Sequence, residues 1–278
     1  MTNIQLNSTF SSPHGEIKYG SSGNGPSVVL CHGTPANSFI WQDIISALYN
    51  EFTVYYLDLP GYGQSEMSEG QDVRLRSFAQ SLAAFIRHLN LDKPHLVGHD
   101  FGAATVLGSH LIEGIPAKSI TIADGVILSP WGTQFSRHVK KYEKVFAAVP
   151  AYVHKAVLEA HLKTAMSTTP TDTVLDKFTQ PWLSDVGQKA YYRQVGQYDY
   201  EYTDVLEPKY KNIDVPLTVL WGEKDAWVDI SEGRRFCSLC ENATFVTLPD
   251  AGHFSMLDTP SQFVKQLRHA LLVAEDTV

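Results

Sequence analysis

Leu96-Val97-Gly98-His99-Asp100-Phe101-Gly102-Ala103-Ala104 is the most informative segment of the chain. An apolar run leads directly into a run with helical spacing, and glycines stand two positions before and two after Asp100. This spacing is typical of a sharp turn from a strand into a helix, with aspartate where the GxSxG pattern has serine. Glycine is needed there because the central residue is strained and the helix packs closely on its strand. The pattern predicts that Asp100 is presented as a nucleophile.

Other apolar segments rich in β-branched and aromatic residues recur along the chain, and most end at Gly, Pro or Asp. They begin at Val28, Phe52, Pro94, Ser119, Pro216 and Thr244. Helical patterns, such as the one from Ser77 to Leu89, separate most of them. Because strands that alternate with helices pair in parallel, the sequence predicts an α/β fold with a mostly parallel, doubly wound sheet.

The alternation of strands and helices stops between about Ser129 and Asn212. This region combines helical patterns with tryptophans and a run of tyrosines. We predict that residues 129–212 form a helical cap inserted into a core made of residues 1–128 and 213–278. Such a cap would close over the carboxyl ends of the strands, where open α/β sheets bind their ligands.

Composition narrows the classes of function. With 278 residues and 44% hydrophobic content, the chain can form one large catalytic domain with an insertion. A net charge of -8 argues against a nucleic-acid partner, so a small-molecule substrate is expected. No apolar run reaches the roughly 18 residues of a membrane span, and the N-terminus lacks a signal-peptide pattern. We therefore expect a cytoplasmic protein with no membrane partner. The sequence leaves open whether the protein forms a homodimer.

Cysteine usage and sequence motifs point to neither a disulfide framework nor a bound group. The chain has three cysteines, and the pair Cys237 and Cys240 lacks the second pair or nearby histidine of a zinc site. We interpret these cysteines as ordinary reduced thiols on a helix. With neither a cofactor motif nor a metal motif in the sequence, the expected chemistry uses side chains alone.

Two further loops complete a candidate catalytic site. The segment Cys31-His32-Gly33-Thr34-Pro35 follows an early buried strand and is expected to supply one oxyanion-hole amide, from Thr34. The second amide would come from Phe101, at the positive end of the helix after the nucleophile. His32 is expected to brace its loop by hydrogen bonding. His253, in the loop between the last strand and the terminal helical pattern, is the expected general base.

Two aspartates compete for the third position of a catalytic triad. Asp225 ends the penultimate strand in WGEKD, and Asp124 ends the strand before the cap in IADG. Either carboxylate could orient His253 and stabilise its imidazolium. The chain order of nucleophile, acid and histidine favours Asp225. If Asp124 is not the triad acid, we expect it to form a structural hydrogen bond beneath the cap.

Five motifs now stand in order: HGTP at 32–35, DLPGYGQS at 58–65, GHDFGA at 98–103, WGEKDAW at 221–227 and DAGHF at 250–254. Together they resemble the α/β-hydrolase superfamily over essentially the whole length. An aspartate at the turn with a catalytic histidine resembles the branch that contains haloalkane dehalogenases, haloacetate dehalogenases and epoxide hydrolases. The resemblance implies that Asp100 attacks carbon to form a covalent ester and that His253 then activates water.

Departures from these families narrow the expected substrate. Many haloalkane dehalogenases hold the departing halide with Trp after the nucleophile and Asn in the histidine loop, where this chain has Phe101 and Thr34. Haloacetate dehalogenases place Arg near the nucleophile, and DFGAA offers none. The spacing from Asp100 to Asp124 does match the acid of several dehalogenases. The HGTP loop and the cap tyrosines resemble epoxide hydrolases, in which tyrosine hydroxyls donate to the epoxide oxygen, so epoxide opening is favoured over dehalogenation.

Candidate substrate contacts in the cap are Trp131, Tyr191 and Tyr198. Tyrosine is also a common packing residue, and Tyr198, Tyr200 and Tyr202 alternate with acidic residues as they would in a surface strand. Two other functional classes stay open. One is a serine-type ester or carbon–carbon hydrolase whose turn serine is replaced by aspartate, and the other is a non-catalytic ligand-binding protein on the same fold.

Overall fold

The computed structural model describes residues 4–276 of the chain. Its strands are β1 Ser8–Ser12, β2 Gly15–Ser22, β3 Ser27–Cys31, β4 Thr53–Asp58, β5 His95–His99, β6 Ser119–Ala123, β7 Leu217–Gly222 and β8 Ala243–Leu248. They form one eight-stranded sheet in the order β1-β2-β4-β3-β5-β6-β7-β8. β2 pairs antiparallel with β1 and β4, and the remaining neighbours are parallel. The mostly parallel α/β sheet expected from the sequence is confirmed.

Helices cover both faces of this sheet and its carboxyl edge. The α-helices are α1 Gln42–Leu48, α2 Leu75–His88, α3 Phe101–Leu111, α4 Gln134–Lys141, α5 Glu143–Ala147, α6 Ala151–Lys163, α7 Asp172–Thr179, α8 Asp185–Gly196, α9 Glu201–Leu206, α10 Ile230–Ser238, α11 Ser255–Asp258 and α12 Pro260–Asp276. Short 3-10 helices lie at Ser38–Trp41, Gln180–Trp182 and Glu207–Asn212. In α2, Phe78, Leu82 and Phe85 recur at helical spacing and are buried, which gives the helix one apolar face.

The central strands explain why the site forms where it does. Every residue of β5 and β6 is buried, because helices cover both faces of a parallel sheet, and the strands therefore read as nearly continuous apolar runs. β3 pairs with β5, and Cys31 lies opposite Gly98. The loop after β3 and the turn after β5 consequently leave the same edge side by side. The loops after β6 and β7 leave that edge next to them.

The hairpin of β1 and β2 is the part of the sheet that the sequence patterns do not reveal. Its sequences, STFSS and GEIKYGSS, are polar and contain few fully buried residues. β1 forms the edge of the sheet, so a long apolar run is not required there. The hairpin is held by its pairing with β4, a contact distant in sequence.

All regular elements between β6 and β7 are helices, from α4 to α9. The alternating tyrosines do not form the surface strand that their pattern left open, because Tyr198 precedes α9, Tyr200 caps it and Tyr202 lies within it. Tyr202 is buried, and its hydroxyl lies close to Gly108 of α3. Among residues 4–276, no helix combines the length and apolar character needed to cross a bilayer.

The helical segment is attached to the sheet domain by buried hydrogen bonds. The indole Nε1 of Trp182 donates to the carbonyl oxygen of Pro35 at 3.0 Å, in the loop after β3. The hydroxyl of Tyr210 donates to the carbonyl oxygen of Ile127 at 2.5 Å. These bonds hold the helices over the carboxyl edge of the strands.

Candidate active site

Asp100 occupies a strained turn between β5 and α3. Its φ is 52° and its ψ is -118°, a combination that non-glycine residues rarely adopt. The two glycines of the motif are required by close packing. A Cβ on Gly98 would lie 2.3 Å from the carbonyl oxygen of Gly102, and a Cβ on Gly102 would lie 2.2 Å from that of Cys31. The sharp turn inferred from the sequence is therefore present, and it projects Asp100 beyond the strand.

The two oxygens of the Asp100 carboxylate have different surroundings. Oδ1 accepts a hydrogen bond of 2.7 Å from the backbone N–H of Thr34. Oδ2 lies 3.3 Å from Nε2 of His253. The side chain is only 4% exposed. One oxygen is thus held by an amide, and the other faces the histidine.

Phe101, expected to give the second oxyanion amide, is the first residue of α3. A backbone N–H at this position points out of the helix N-terminus, where the helix dipole favours negative charge. Its ring is buried and packs edge-on against Trp131, with ring centroids 5.2 Å apart. The amide that contacts the carboxylate is that of Thr34.

His253 lies between two carboxylates in the loop after β8. Its Nδ1 is 2.9 Å from Oδ2 of Asp225, and its other ring nitrogen faces Asp100. Its backbone N–H donates to the carbonyl of Ala165 in the helical segment. Burial alone would lower the pKa of His253, but Asp225 and Asp100 raise it, and the result lies well above the ordinary value.

Asp225 is fixed by its own loop. Its Oδ1 accepts hydrogen bonds from the backbone N–H groups of Trp227, at 2.8 Å, and Val228, at 2.9 Å. Oδ2 is left for His253. This arrangement orients the imidazole so that Nε2 points at Asp100, an orientation that the acid of a catalytic triad gives its histidine.

Asp124, the competing acid, has a different set of partners. Oδ1 accepts from the backbone N–H of Gly222 at 2.7 Å, and Oδ2 accepts a short hydrogen bond from the hydroxyl of Ser255. Burial, reinforced by Asp225, raises the pKa of Asp124 well above its ordinary value. The residue therefore links the loop after β7 to the loop of His253 without a hydrogen bond to the imidazole itself.

Two histidines beside the site brace its loops. His32 contacts the carbonyl of Gly33 through Nδ1 and accepts from the N–H of Leu59 through Nε2, which confirms its bracing role. His99 was not anticipated. Its Nε2 donates to the carbonyl of His253 at 2.8 Å, so it fixes the backbone of the candidate base. Its position inside the turn motif, directly before Asp100, is the only sequence signal for this contact.

A narrow cavity of about 40 Å³ opens in front of Asp100. Its walls are mainly aromatic and small residues: Thr34, Phe101, Val126, Trp131, Gly132, Thr133, Ser136, His161, Tyr198, Trp227 and Val228. Trp131 and Tyr198, two of the three cap residues predicted to contact substrate, thus line the cavity. Tyr191 does not. It is buried on α8, where its ring packs against Trp182 at 5.5 Å.

The hydrogen-bond donors of the cavity differ in how firmly they are already bonded to other residues. The indole N–H of Trp131 donates to Thr203, and that of Trp227 donates to Thr164, so both are engaged outside the cavity. The hydroxyl of Tyr198 makes a longer contact of 3.3 Å with Oγ1 of Thr34. Burial, together with Tyr62, raises the pKa of Tyr198 well above its ordinary value, so the phenol keeps its proton.

His161 is a cavity residue that the sequence analysis missed. It lies on α6, and its ring stacks on that of Trp227 with centroids 4.4 Å apart. Burial and the nearby His253 lower the pKa of His161 to about 4, so its imidazole is neutral at physiological pH. A histidine on a helix carries no sequence signal that separates a cavity wall from a surface position.

Comparison with known proteins gives the chain a family. A family model described as alpha/beta hydrolase fold matches residues 26–260. The chain belongs to this family. The hydrolase also superposes on an alpha/beta hydrolase fold protein from Burkholderia ambifaria with a TM-score of 0.92 and 34% identity, over 95% of this chain and 97% of that one.

Named relatives include dehalogenases. The hydrolase is 39% identical over 93 residues to haloalkane dehalogenase 2 of Mycobacterium tuberculosis, but this match spans 34% of the chain and only 32% of that protein. It is 26% identical over 273 residues to a fluoroacetate dehalogenase from Burkholderia sp, covering 90% of the chain and 88% of that protein. The family and these relatives make the chain a hydrolase with dehalogenase-like homologues.

Proposed function

We propose that this hydrolase opens a small, uncharged electrophile through a covalent ester on Asp100 and releases the product with water. The observation that carries the proposal is the asymmetry of the Asp100 carboxylate. Thr34 holds Oδ1 at 2.7 Å, while Oδ2 lies 3.3 Å from His253. A serine-type enzyme needs its histidine to activate the nucleophile, whereas a carboxylate needs no such base and leaves the histidine for hydrolysis.

In the first step, Oδ2 attacks the electrophilic carbon. A carbon–oxygen bond forms to Asp100 as the bond to the leaving group breaks, and the leaving group takes the electron pair. Oδ1 then becomes the carbonyl oxygen of the ester and stays within reach of the Thr34 amide. This donor supports the negative charge that later develops on Oδ1.

In the second step, His253 removes a proton from water and the resulting hydroxide adds to the ester carbon. Esterification removes the negative charge of Asp100, one of the groups that raise the pKa of His253. The imidazole therefore loses its proton more readily in the intermediate than in the free enzyme. Asp225 stabilises the imidazolium, and collapse of the tetrahedral intermediate releases an alcohol and restores Asp100.

The cavity favours an epoxide as the electrophile. Its small volume and its lining, which contains no Lys or Arg, suit a small uncharged molecule. An opening epoxide develops an alkoxide, which needs a proton donor close to the attacked carbon. Tyr198 is a protonated phenol in the cavity wall, whereas the indole N–H groups of Trp131 and Trp227 are engaged elsewhere. The proton that His253 takes from water then restores the phenol of Tyr198, so that epoxide and water together give a vicinal diol.

Dehalogenation is the second candidate, and the relatives are the observation that favours it. Both a haloalkane dehalogenase and a fluoroacetate dehalogenase are similar to the chain. The chemistry at Asp100 and His253 would be the same. The difference lies in the leaving group, because a halide needs hydrogen-bond donors but no proton.

The test is intact-protein mass spectrometry of His253→Gln after exposure to a panel of small epoxides and alkyl halides. The ester should accumulate because only the second step needs the base. An epoxide would add its whole mass, and a halide would add its mass less that of the hydrogen halide. The double variant with Asp100→Asn is the control and should carry no adduct.

Normal turnover by His253→Gln would contradict the proposal, and so would an adduct that maps to a residue other than Asp100. If no compound reacts with wild type or variant, Asp100→Ser tested on aryl esters would identify a replaced serine enzyme. A ligand that binds and is recovered unchanged would indicate a non-catalytic binding protein.

A further inference from the structure

A second, larger cleft adjoins the cavity of Asp100. It has a volume of about 210 Å³ and shares three wall residues with the cavity, namely Trp131, Ser136 and Tyr198. The remaining walls are Arg137, Lys140, Asp199 and Tyr200. The two spaces therefore adjoin along these three side chains, and we call the second one the outer cleft.

The outer cleft contains two cations without acidic partners. The guanidinium of Arg137 donates to the backbone carbonyl of Gly132, and the ammonium group of Lys140 donates to that of Tyr198. Within residues 4–276, neither side chain forms an ion pair with a carboxylate. Both therefore keep hydrogen-bonding capacity for an anion, since each carries further N–H donors.

The one acidic residue of the cleft is already neutralised. Oδ2 of Asp199 lies 3.4 Å from Nε of Arg74, which approaches from the start of α2. The cleft therefore presents Arg137 and Lys140 as its unbalanced charges. The carboxylate of Asp100 lines the adjoining cavity, which shares its aromatic walls with the cleft.

Basic residues are also relatively more frequent in residues 129–212, which contain the two cations, than in the rest of the chain. Residues 129–212 contain eleven basic and nine acidic side chains, whereas the rest of the chain contains eleven basic and twenty-one acidic ones. An anion is therefore repelled by most of the surface and attracted to this part. A molecule with one anionic end would be oriented in the site, because Asp100 repels that end and the two cations attract it.

We propose that the outer cleft is a subsite for an anionic group at the far end of the substrate. This rests on the proposed function and extends it: the preferred substrate is an amphiphile, with a neutral reactive end in the cavity and a carboxylate or similar anion between Arg137 and Lys140. The cations lie away from the reacting carbon, which separates this arrangement from recognition of a haloacetate, whose carboxylate is bonded to that carbon.

Binding tests the subsite without requiring turnover. Calorimetry with hexanoate and with hexanamide compares an anion with a neutral molecule of the same shape. Wild type should bind the carboxylate about three- to tenfold more tightly, the range expected for two exposed ion pairs. Arg137→Gln with Lys140→Gln should abolish the preference, and raising the salt concentration should weaken it.

Matched variants distinguish the effect on binding of a charge in the cleft from the effect of a charge elsewhere on the surface. Lys144→Gln removes an exposed cation of α5 that does not line the cleft, so it should keep the preference. Lys140→Arg keeps the charge and should also keep it. Equal binding of hexanoate and hexanamide by wild type would overturn the proposal. An equal loss of preference in Lys144→Gln and in the double variant would do the same.

Turnover provides the second measurement. The ratio of kcat/KM for 5,6-epoxyhexanoate to that for its primary amide should exceed one in wild type and fall toward one in the double variant. If neither compound is hydrolysed nor trapped on Asp100, the proposed function fails, while the binding comparison still decides the subsite. A ratio that is the same in wild type and double variant would refute the anionic subsite.

Discussion

Nδ1 of His253 lies 2.9 Å from Oδ2 of Asp225, whereas the two carboxylate oxygens of Asp124 accept hydrogen bonds from Gly222 and Ser255. Both aspartates follow neighbouring strands and both are buried, so their chain positions alone do not separate them. The two aspartates are separated by the orientation that each loop gives to its carboxylate. Asp225 is held by two backbone amides of its own loop, and this leaves one oxygen aimed at the imidazole.

Asp225→Asn should therefore lower turnover far more than Asp124→Asn, by about a thousandfold or more if triad acids of other hydrolases are a guide. The asparagine at 225 loses the charge that stabilises the imidazolium. At 124 it keeps an oxygen for Gly222, and its amide N–H can donate to the Ser255 hydroxyl in place of the bond that the carboxylate accepts. Steady-state rates of the two folded variants are the measurement. A greater loss in Asp124→Asn would assign the acid to Asp124.

Tyr198→Phe should slow epoxide opening by about a hundredfold, the loss typical of one preorganised donor in an oxyanion-type site. The ring and its packing against Phe101 would remain. Alkyl bromides of similar size, which need no proton for departure, should be affected much less. Diol and bromide release are measured separately in wild type and variant. An equal effect on both substrates would mean that Tyr198 acts by shape and is not the proton donor.

Gly33→Ala should abolish most activity while leaving the sheet folded. A Cβ at this position would lie 2.3 Å from Oδ1 of Asp100, so the Asp100 side chain or the Thr34 loop would have to move. Single-turnover ester formation is the measurement. Gly70→Ala is the control because a Cβ there meets no atom within 4 Å, although its φ of 75° makes the change mildly destabilising. Full activity in Gly33→Ala would contradict the position of the carboxylate.

Asp100→Asn should lower the pKa of His253, because it removes one of the two carboxylates that raise it. NMR titration of the imidazole is the measurement. The raised pKa also links stability to pH: protonated His253 stabilises the fold fully below its ordinary value of 6.5, and this contribution is lost as pH rises through the folded-state value. Thermal unfolding of Asp100→Asn should therefore show less loss of stability over that range. An unchanged titration would disprove the coupling between the two residues.

Sequence patterns located the six strands that carry the sheet, because buried parallel strands need continuous apolar runs. They did not locate β1 and β2, whose polar residues are held by pairing with β4. They also left a surface strand open as an alternative for Tyr198, Tyr200 and Tyr202, since an alternation of aromatic and acidic residues fits a strand as well as a turn followed by a short helix.

The residues of the candidate site also fall into two groups, those that the sequence predicts and those that only the tertiary structure identifies. The sequence alone predicts that Asp100, Thr34 and His253 lie close together, because each occupies a loop directly after a recognisable strand and parallel strands bring such loops to one edge. The sequence also determined the α/β fold and the helical insertion. Only the tertiary structure shows that His253 contacts Asp225 and not Asp124, since both loops reach that edge and the hydrogen bonds of their carboxylates differ. It also decided which cap residues face Asp100, because helical spacing shows which residues share a face but not what that face contacts.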